Sequence, residues 1–208
     1  MAYGSRLWTN VAVTAGICTS ICSNGNQELG LHVLFVCTGN ICRSPTAERL
    51  STALNAELQI PGFTATSAGT RAVIGHPMHA QAARVLEHLG GDASGFVARH
   101  LTPLIANNAD LVLTMTTTHR NGVLELAPRQ LCKTFTLGEA ALLAAEYDPL
   151  SIADLATLRP RLSGRPVASI PDPIGQDAEY FTAIGANIAE LLPPILELCR
   201  RSAALPSD

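Results

Sequence analysis

Leu31-His32-Val33-Leu34-Phe35-Val36-Cys37-Thr38-Gly39-Asn40-Ile41-Cys42-Arg43-Ser44-Pro45 decides how the rest of this 208-residue chain is read. Its first six residues are an almost unbroken apolar run, the pattern of a strand buried on both faces. After it, Thr46-Ala47-Glu48-Arg49-Leu50 leads into further apolar positions at Ala53, Leu54 and Leu58. That spacing predicts a helix, and Pro45 suits its first turn, where a missing N–H costs nothing. The segment between them is therefore a tight loop joining a strand to a helix N-terminus. Backbone N–H groups and the helix dipole make such a junction an anion site. Arg43 adds a planar fork of donors matched to phosphate oxygens. Cys37 lies at the floor of this positive cup, where its pKa is expected to fall and a thiolate to form. A thiolate under an anion-binding loop is equipped to attack phosphorus. A buried structural cysteine and a surface arginine could stand at the same spacing, but Gly39, Asn40 and Ser44 in that context favour the functional reading.

Outward from the loop, strands and helices alternate. Pro61-Gly62 breaks the first helix pattern, and Phe63 to Ala68 reads as a second strand. Gly69 to Pro77 reads as a loop. Met78, Ala82, Val85, Leu86 and Leu89 mark one face of a helix closed by Gly90-Gly91. Leu111 to Met115 reads as a third strand, followed by a helix that stops near Pro128. Lys133 to Leu137 is a short fourth strand, and 138–147 is helical in pattern. The proline-bearing stretch from Tyr147 to Pro171 reads as an excursion. From Phe181 to Leu198 apolar residues recur at helical spacing, with Pro193-Pro194 expected to kink or split that last helix. The alternation argues for a parallel sheet covered on both faces, with ligands bound beyond the carboxyl ends of its strands. The Cys37 loop leaves such an end.

Composition sets the bounds. The chain is 47% hydrophobic and 15% charged, as a one-domain globular protein should be. A net charge of −3 without a long basic run gives no support for nucleic-acid binding or an anionic membrane surface. Six cysteines stand at 18, 22, 37, 42, 132 and 199. Their spacing completes no zinc site, and no histidine pair supplies one, so no metal or cofactor is expected. The histidines are scattered and read as surface or packing residues. No Gly-x-x-x-x-Gly-Lys nucleotide loop is present. Residues 1–30 read as a poorly ordered extension, with an apolar stretch too short to span a bilayer, 31–200 as the domain, and 201–208 as a tail.

Cys-Thr-Gly-Asn-Ile-Cys-Arg-Ser-Pro closely resembles the phosphate loop of the low-molecular-weight protein tyrosine phosphatases. The resemblance continues through Thr66-Ser67-Ala68-Gly69-Thr70, Ala109 to Met115 and Pro171-Asp172-Pro173-Ile174-Gly175. It implies a flavodoxin-like three-layer α/β/α fold with a four-stranded parallel sheet. It also implies metal-independent hydrolysis of phosphotyrosine in proteins through a phosphocysteine, in the cytoplasm, where Cys37 stays reduced. The substrate is then a phosphorylated protein or peptide and inorganic phosphate a product.

Within that reading Cys37 is the nucleophile. The backbone of Thr38, Gly39, Asn40, Ile41 and Cys42, with the Arg43 guanidinium, binds the phosphoryl group. Ser44 is expected to donate to the Cys37 sulfur; capping the helix is its compatible structural role. A loop aspartate such as Asp172 is by itself most often a turn former. The resemblance makes it the general acid, and then the base that activates water. Asn40 suits a left-handed backbone position. In the family it is tied to a serine matching Ser67 and to a histidine whose matching position here is Phe96. Cys42 has two readings, a small packed side chain or the thiol that traps oxidised Cys37 as a disulfide. The cleft walls, Arg71-Ala72-Val73-Ile74 and Ile174, are aliphatic with one rim cation.

Three other readings share these residues. Arsenate reduction on this fold needs relay thiols after the third strand, where Thr116, Thr117, Thr118 and Asn121 stand. Relatives that cleave phosphoarginine carry Thr at the position of Ile41. A non-catalytic anion-binding regulatory module would have no use for Cys37, Arg43 and Asp172 together.

Overall fold

A computed structural model describes residues 30–205. The extension expected at 1–30 lies outside the described residues but for Gly30. Strand β1 (His32–Cys37) enters the loop and helix α1 (Arg43–Leu58) leaves it. There follow β2 (Thr64–Gly69), α2 (Ala80–His88), α3 (Pro103–Asn107), β3 (Leu111–Thr114) and α4 (Thr117–Leu126). A 3-10 turn over Pro128–Lys133 precedes β4 (Thr134–Thr136) and α5 (Leu137–Tyr147). The excursion after α5 holds α6 (Asp154–Leu158) and a second 3-10 turn (Arg159–Leu162), and the chain closes with α7 (Ala178–Ala203).

The four strands are all parallel, in the order β2-β1-β3-β4. Alternation along β1 sorts its side chains onto two faces. Val33, Phe35 and Cys37 join Leu111, Leu113 and Phe135 in a core shared with α1, α2, α5 and α7. Leu34, Val36 and Val112 face Leu101, Ala106 and Val123 from the α3 and α4 side. Helices thus cover both faces, the three-layer architecture expected. The chain goes from β1 to a neighbour on one side, β2, and returns to β3 on the other, so a crevice opens beyond the carboxyl ends of β1 and β3. Register completes the arrangement: Cys37 lies opposite Gly69, and Val36 opposite Thr114. The segments after β1, β2 and β3 therefore meet at one end. A Cβ on Gly69 would stand 2.5 Å from the Thr38 carbonyl oxygen, so only glycine lets β2 end this close beneath the loop.

Two details differ from expectation. The last helix is neither split nor interrupted at Pro193-Pro194. Pro193 is exposed, and the carbonyls deprived of a donor belong to Ala189 and Glu190, which are part-exposed and exposed. On its inner face Phe181, Ile184, Ile188, Leu192, Ile195, Leu196 and Leu198 are all buried. At roughly 1.5–3 kcal/mol per buried apolar side chain, that packing outweighs about 3 kcal/mol for a helix proline. By length and composition α7 could cross a membrane, but this face is spent on the core. The short helix α3 carried no periodic signal; Thr102 caps it by accepting from the Ile105 N–H, with Pro103 at its start.

Candidate active site

The loop after β1 is held at its far end by Asn40. This residue has φ 55°, the left-handed conformation expected of it, and is fully buried. Its amide nitrogen donates to Ser67 Oγ at 2.7 Å and to Ser44 Oγ at 3.0 Å. Its Oδ1 accepts the Arg99 backbone N–H at 2.9 Å. Phe96, at the position matching the family's histidine, makes no bond to Asn40, and the Arg99 backbone is the partner found on Oδ1. Phe96 is instead buried, with the Arg49 guanidinium 5.7 Å above its ring. Ser67 donates onward to Glu48 Oε2 at 2.6 Å, and burial pushes the Glu48 carboxyl above its ordinary range.

Ser44 does not cap α1. The cap position is Cys42, without a side-chain bond, and Ser44 Oγ lies 2.9 Å from Cys37 Sγ. Ser44 Oγ accepts from Asn40, and its hydroxyl hydrogen can point at the sulfur, the only direction open when Cys37 is a thiolate. Cys42 is buried, and its thiol is pushed up to about 12, first by burial and then by negative charge at Cys37 and Asp172.

Arg43 is buried and Asp172 half exposed, yet they are 129 residues apart in the chain and meet with Nη2 2.6 Å from Oδ2. The other terminal nitrogen, Nη1, donates to the Ile170 carbonyl at 3.0 Å. Ile170 is fully buried and its N–H donates to the Met115 carbonyl, while the Met115 N–H donates to the carbonyl of Val36. A closed circuit of bonds thus runs from β1 through the end of β3 to the Asp172 segment and back to Arg43. The segment after β2 runs along the loop, with Arg71 N–H donating to the Thr38 carbonyl and Val73 N–H to that of Gly39. These bonds turn the loop carbonyls outward and leave its N–H groups for an anion. Around the mouth Arg71 is exposed, and Val73, Ile74 and Ile174 are exposed apolar residues.

One histidine departs from the sequence reading. His119, expected as a surface or packing residue, is buried and bonded to the loop: its Nε2 lies 2.8 Å from Thr38 Oγ1 and its Nδ1 2.9 Å from Thr116 Oγ1. Burial first, then the Arg43 cation, lower its pKa to about 4, with Asp172 opposing. Its position three residues into a Thr-capped helix at the carboxyl end of β3 was the available signal. Glu48 and the Arg99 backbone had none, since their roles depend on pairings across the sheet.

The family model for low molecular weight phosphotyrosine protein phosphatase matches residues 32–154. The low molecular weight protein-tyrosine-phosphatase Etp of Escherichia coli (strain K12) is 40% identical over 107 residues, covering 51% of this chain and 69% of that protein. Wzb of the same organism is 36% identical over the same shares. Among solved structures, a low molecular weight protein tyrosine phosphatase from T. tengcongensis is 29% identical with TM-score 0.64, covering 81% of this chain and 99% of its own. The YwlE arginine phosphatase from Geobacillus stearothermophilus is also 29% identical, with TM-score 0.62, covering 80% and 91%.

Proposed function

The chain belongs to the low molecular weight phosphotyrosine protein phosphatase family, and from that membership we propose how its residues hydrolyse phosphotyrosine in proteins. Cys37 attacks phosphorus as a thiolate, and the bond from phosphorus to the phenolic oxygen breaks. Asp172 gives its proton to the departing oxygen. Loop N–H groups and Arg43 hold the three non-bridging oxygens as their charge redistributes. The substrate phosphate competes with Asp172 for Arg43, which frees the carboxyl for the leaving oxygen. In the second half a water attacks the phosphocysteine, gives its proton to the Asp172 carboxylate, and the S–P bond breaks to return the thiolate and inorganic phosphate. Ser44 and Asn40 hold the sulfur and the loop, with Ser67 behind them.

The observation that carries this reading is the meeting of Arg43 and Asp172 at 2.6 Å above the sulfur's loop. The Asp172 segment lies beyond the region that the family model matches, so its arrival at the loop is independent support. Ile41, where phosphoarginine-cleaving relatives carry Thr, ranks phosphotyrosine above phosphoarginine. A cytoplasmic location belongs to the same reading, because Cys37 acts only while reduced.

The test is turnover of an aryl phosphate in the presence of chelator. Wild type should be unaffected by the chelator. Cys37→Ser should keep its fold and bind oxyanions, but lose turnover by roughly three orders of magnitude or more. Substantial residual activity in that variant would sink the mechanism.

A further inference from the structure

The two halves of the phosphate loop are held by different means. Asn40 and Ser44 fix the half nearer α1, from within the loop and from β2. The half nearer β1 is reached from the other side of the crevice, by the β3–α4 junction. Met115 there already ties Val36 to Ile170 through its backbone. Four residues on, His119 contacts the Thr38 hydroxyl with one ring nitrogen and the Thr116 hydroxyl with the other. We propose that His119 is a positioning residue for the hydrolysis, clamping Thr38, the residue next to the nucleophile, to the capped start of α4. The inference rests on the reading of the Cys37 loop as the phosphate site.

The chemistry of the clamp follows from its partners. Arg43 and Asp172 are the charged groups that act on the ring, and burial with the Arg43 cation keeps it neutral at neutral pH. A neutral imidazole donates at one nitrogen and accepts at the other. Thr116 Oγ1 already accepts the His119 backbone N–H as the helix cap, at 3.3 Å. Its hydroxyl hydrogen is free to point at Nδ1, and in that tautomer Nε2 carries the proton and donates to Thr38; in the other, Nδ1–H donates to Thr116 and the Thr38 hydroxyl donates to Nε2. Either tautomer ties Thr38 through its side chain, while its carbonyl is tied to Arg71. With both ends of Thr38 held, its N–H and that of Gly39 keep a fixed aim before phosphate arrives. Preorganised donors of this kind favour the transferring phosphoryl without reorganisation during the reaction.

The experiment uses inorganic phosphate as the probe, titrated calorimetrically, beside kcat/KM for an aryl phosphate. The proteins are wild type, Thr38→Val, His119→Ala, His119→Gln and the double variant Thr38→Val/His119→Ala, with Cys37→Ser as the inactive control. Loss of one such bond should weaken phosphate binding and lower kcat/KM by about tenfold in His119→Ala and in Thr38→Val alike. The double variant should be no worse than the weaker single one, since both substitutions remove the same bond. Glutamine can place an N–H near the Nε2 position, so His119→Gln should recover most of the loss. Singles within about twofold of wild type, or losses that multiply in the double variant, overturn the clamp. If His119→Ala fails to fold, the near-isosteric Thr38→Val and His119→Gln decide: wild-type phosphate affinity in Thr38→Val refutes it. A Cys37→Ser variant that still turns over refutes the functional reading instead, while the phosphate titrations continue to test the clamp by themselves.

Discussion

Asp172 and Cys42 are the two residues whose chemistry the structure makes most specific. Asp172 is half exposed and held on Arg43, and the proposed mechanism makes it the general acid. General-acid catalysis contributes roughly 10²–10⁴-fold, and most where the leaving group most needs a proton. Asp172→Asn should therefore lose far more kcat on phosphotyrosine than on an aryl phosphate with a strongly acidic phenol. Equal losses on both substrates would remove Asp172 from the acid role. Cys42 is poised differently. With its thiol pushed up to about 12, it is protonated at neutral pH and a slow partner for oxidised Cys37. Mild peroxide should still inactivate the enzyme reversibly through a Cys37–Cys42 disulfide. The step that forms the disulfide should quicken by about tenfold per pH unit between pH 7 and 9, as the Cys42 thiolate fraction grows. Quenched peptide mapping across that range measures it, and Cys42→Ala should turn the inactivation irreversible. A pH-independent rate, or reversibility retained in Cys42→Ala, would return Cys42 to a packing role.

At the scale of elements, α7 shows packing overruling propensity. Two prolines stand inside a helix that continues through them, because one face is sealed into the core by Ile188, Leu192, Ile195 and Leu196. Pro193 is exposed, so replacing it removes little packing and returns an N–H that can meet the Ala189 carbonyl. Pro193→Ala should raise unfolding stability by about 1–3 kcal/mol, read as a higher urea midpoint at constant slope. A lower midpoint would mean that the proline's restriction of the unfolded chain outweighs the missing bond. The same contest explains what was legible. Helices α1, α2 and α4 follow apolar periodicity and strands β1 and β3 are buried apolar runs, so their signals are local, whereas β2 (Thr-Ala-Thr-Ser-Ala-Gly) and β4 (Thr-Phe-Thr) carry little apolar signal of their own. The kink or split expected at Pro193-Pro194 is also a local rule, and the tertiary contacts that keep the helix continuous there are not written locally.

For the whole molecule, selectivity is a property of the rim assembled at the carboxyl end of the sheet. The segment after β2 brings Arg71, Val73 and Ile74, and the Asp172 segment brings Ile174. None is aromatic. An aromatic wall contact is worth roughly 0.5–1.5 kcal/mol beyond its area, so its loss weakens the grip on a phenyl ring by up to about tenfold without abolishing it. Phosphotyrosine peptides should turn over faster than phosphoserine or phosphoarginine peptides of equal length. Acidic residues beside the phosphotyrosine should raise kcat/KM, and Arg71→Ala should erase that advantage while leaving neutral peptides nearly unchanged. A reversed order among the three phosphopeptides contradicts the substrate class, and an undiminished acidic preference in Arg71→Ala contradicts the rim cation. By itself the sequence determined the layered fold and the strand-to-loop-to-helix junction, and it singled out Cys37, Asn40, Arg43 and Ser44 as the residues of that loop from which the mechanism is proposed. These depend on residues within one short stretch, where spacing, backbone tolerance and side-chain chemistry are all local. Only the tertiary structure decided that Arg99 offers its backbone N–H to Asn40 in a chain that carries Phe96 at the family's histidine position. It alone placed Glu48 behind Ser67, joined His119 to Thr38 and set Asp172 on Arg43. Those contacts join residues from 19 to 129 positions apart. What brings them together is parallel register, which aligns the ends of β1, β2 and β3 at one edge of the sheet, and no single segment of the chain carries that alignment.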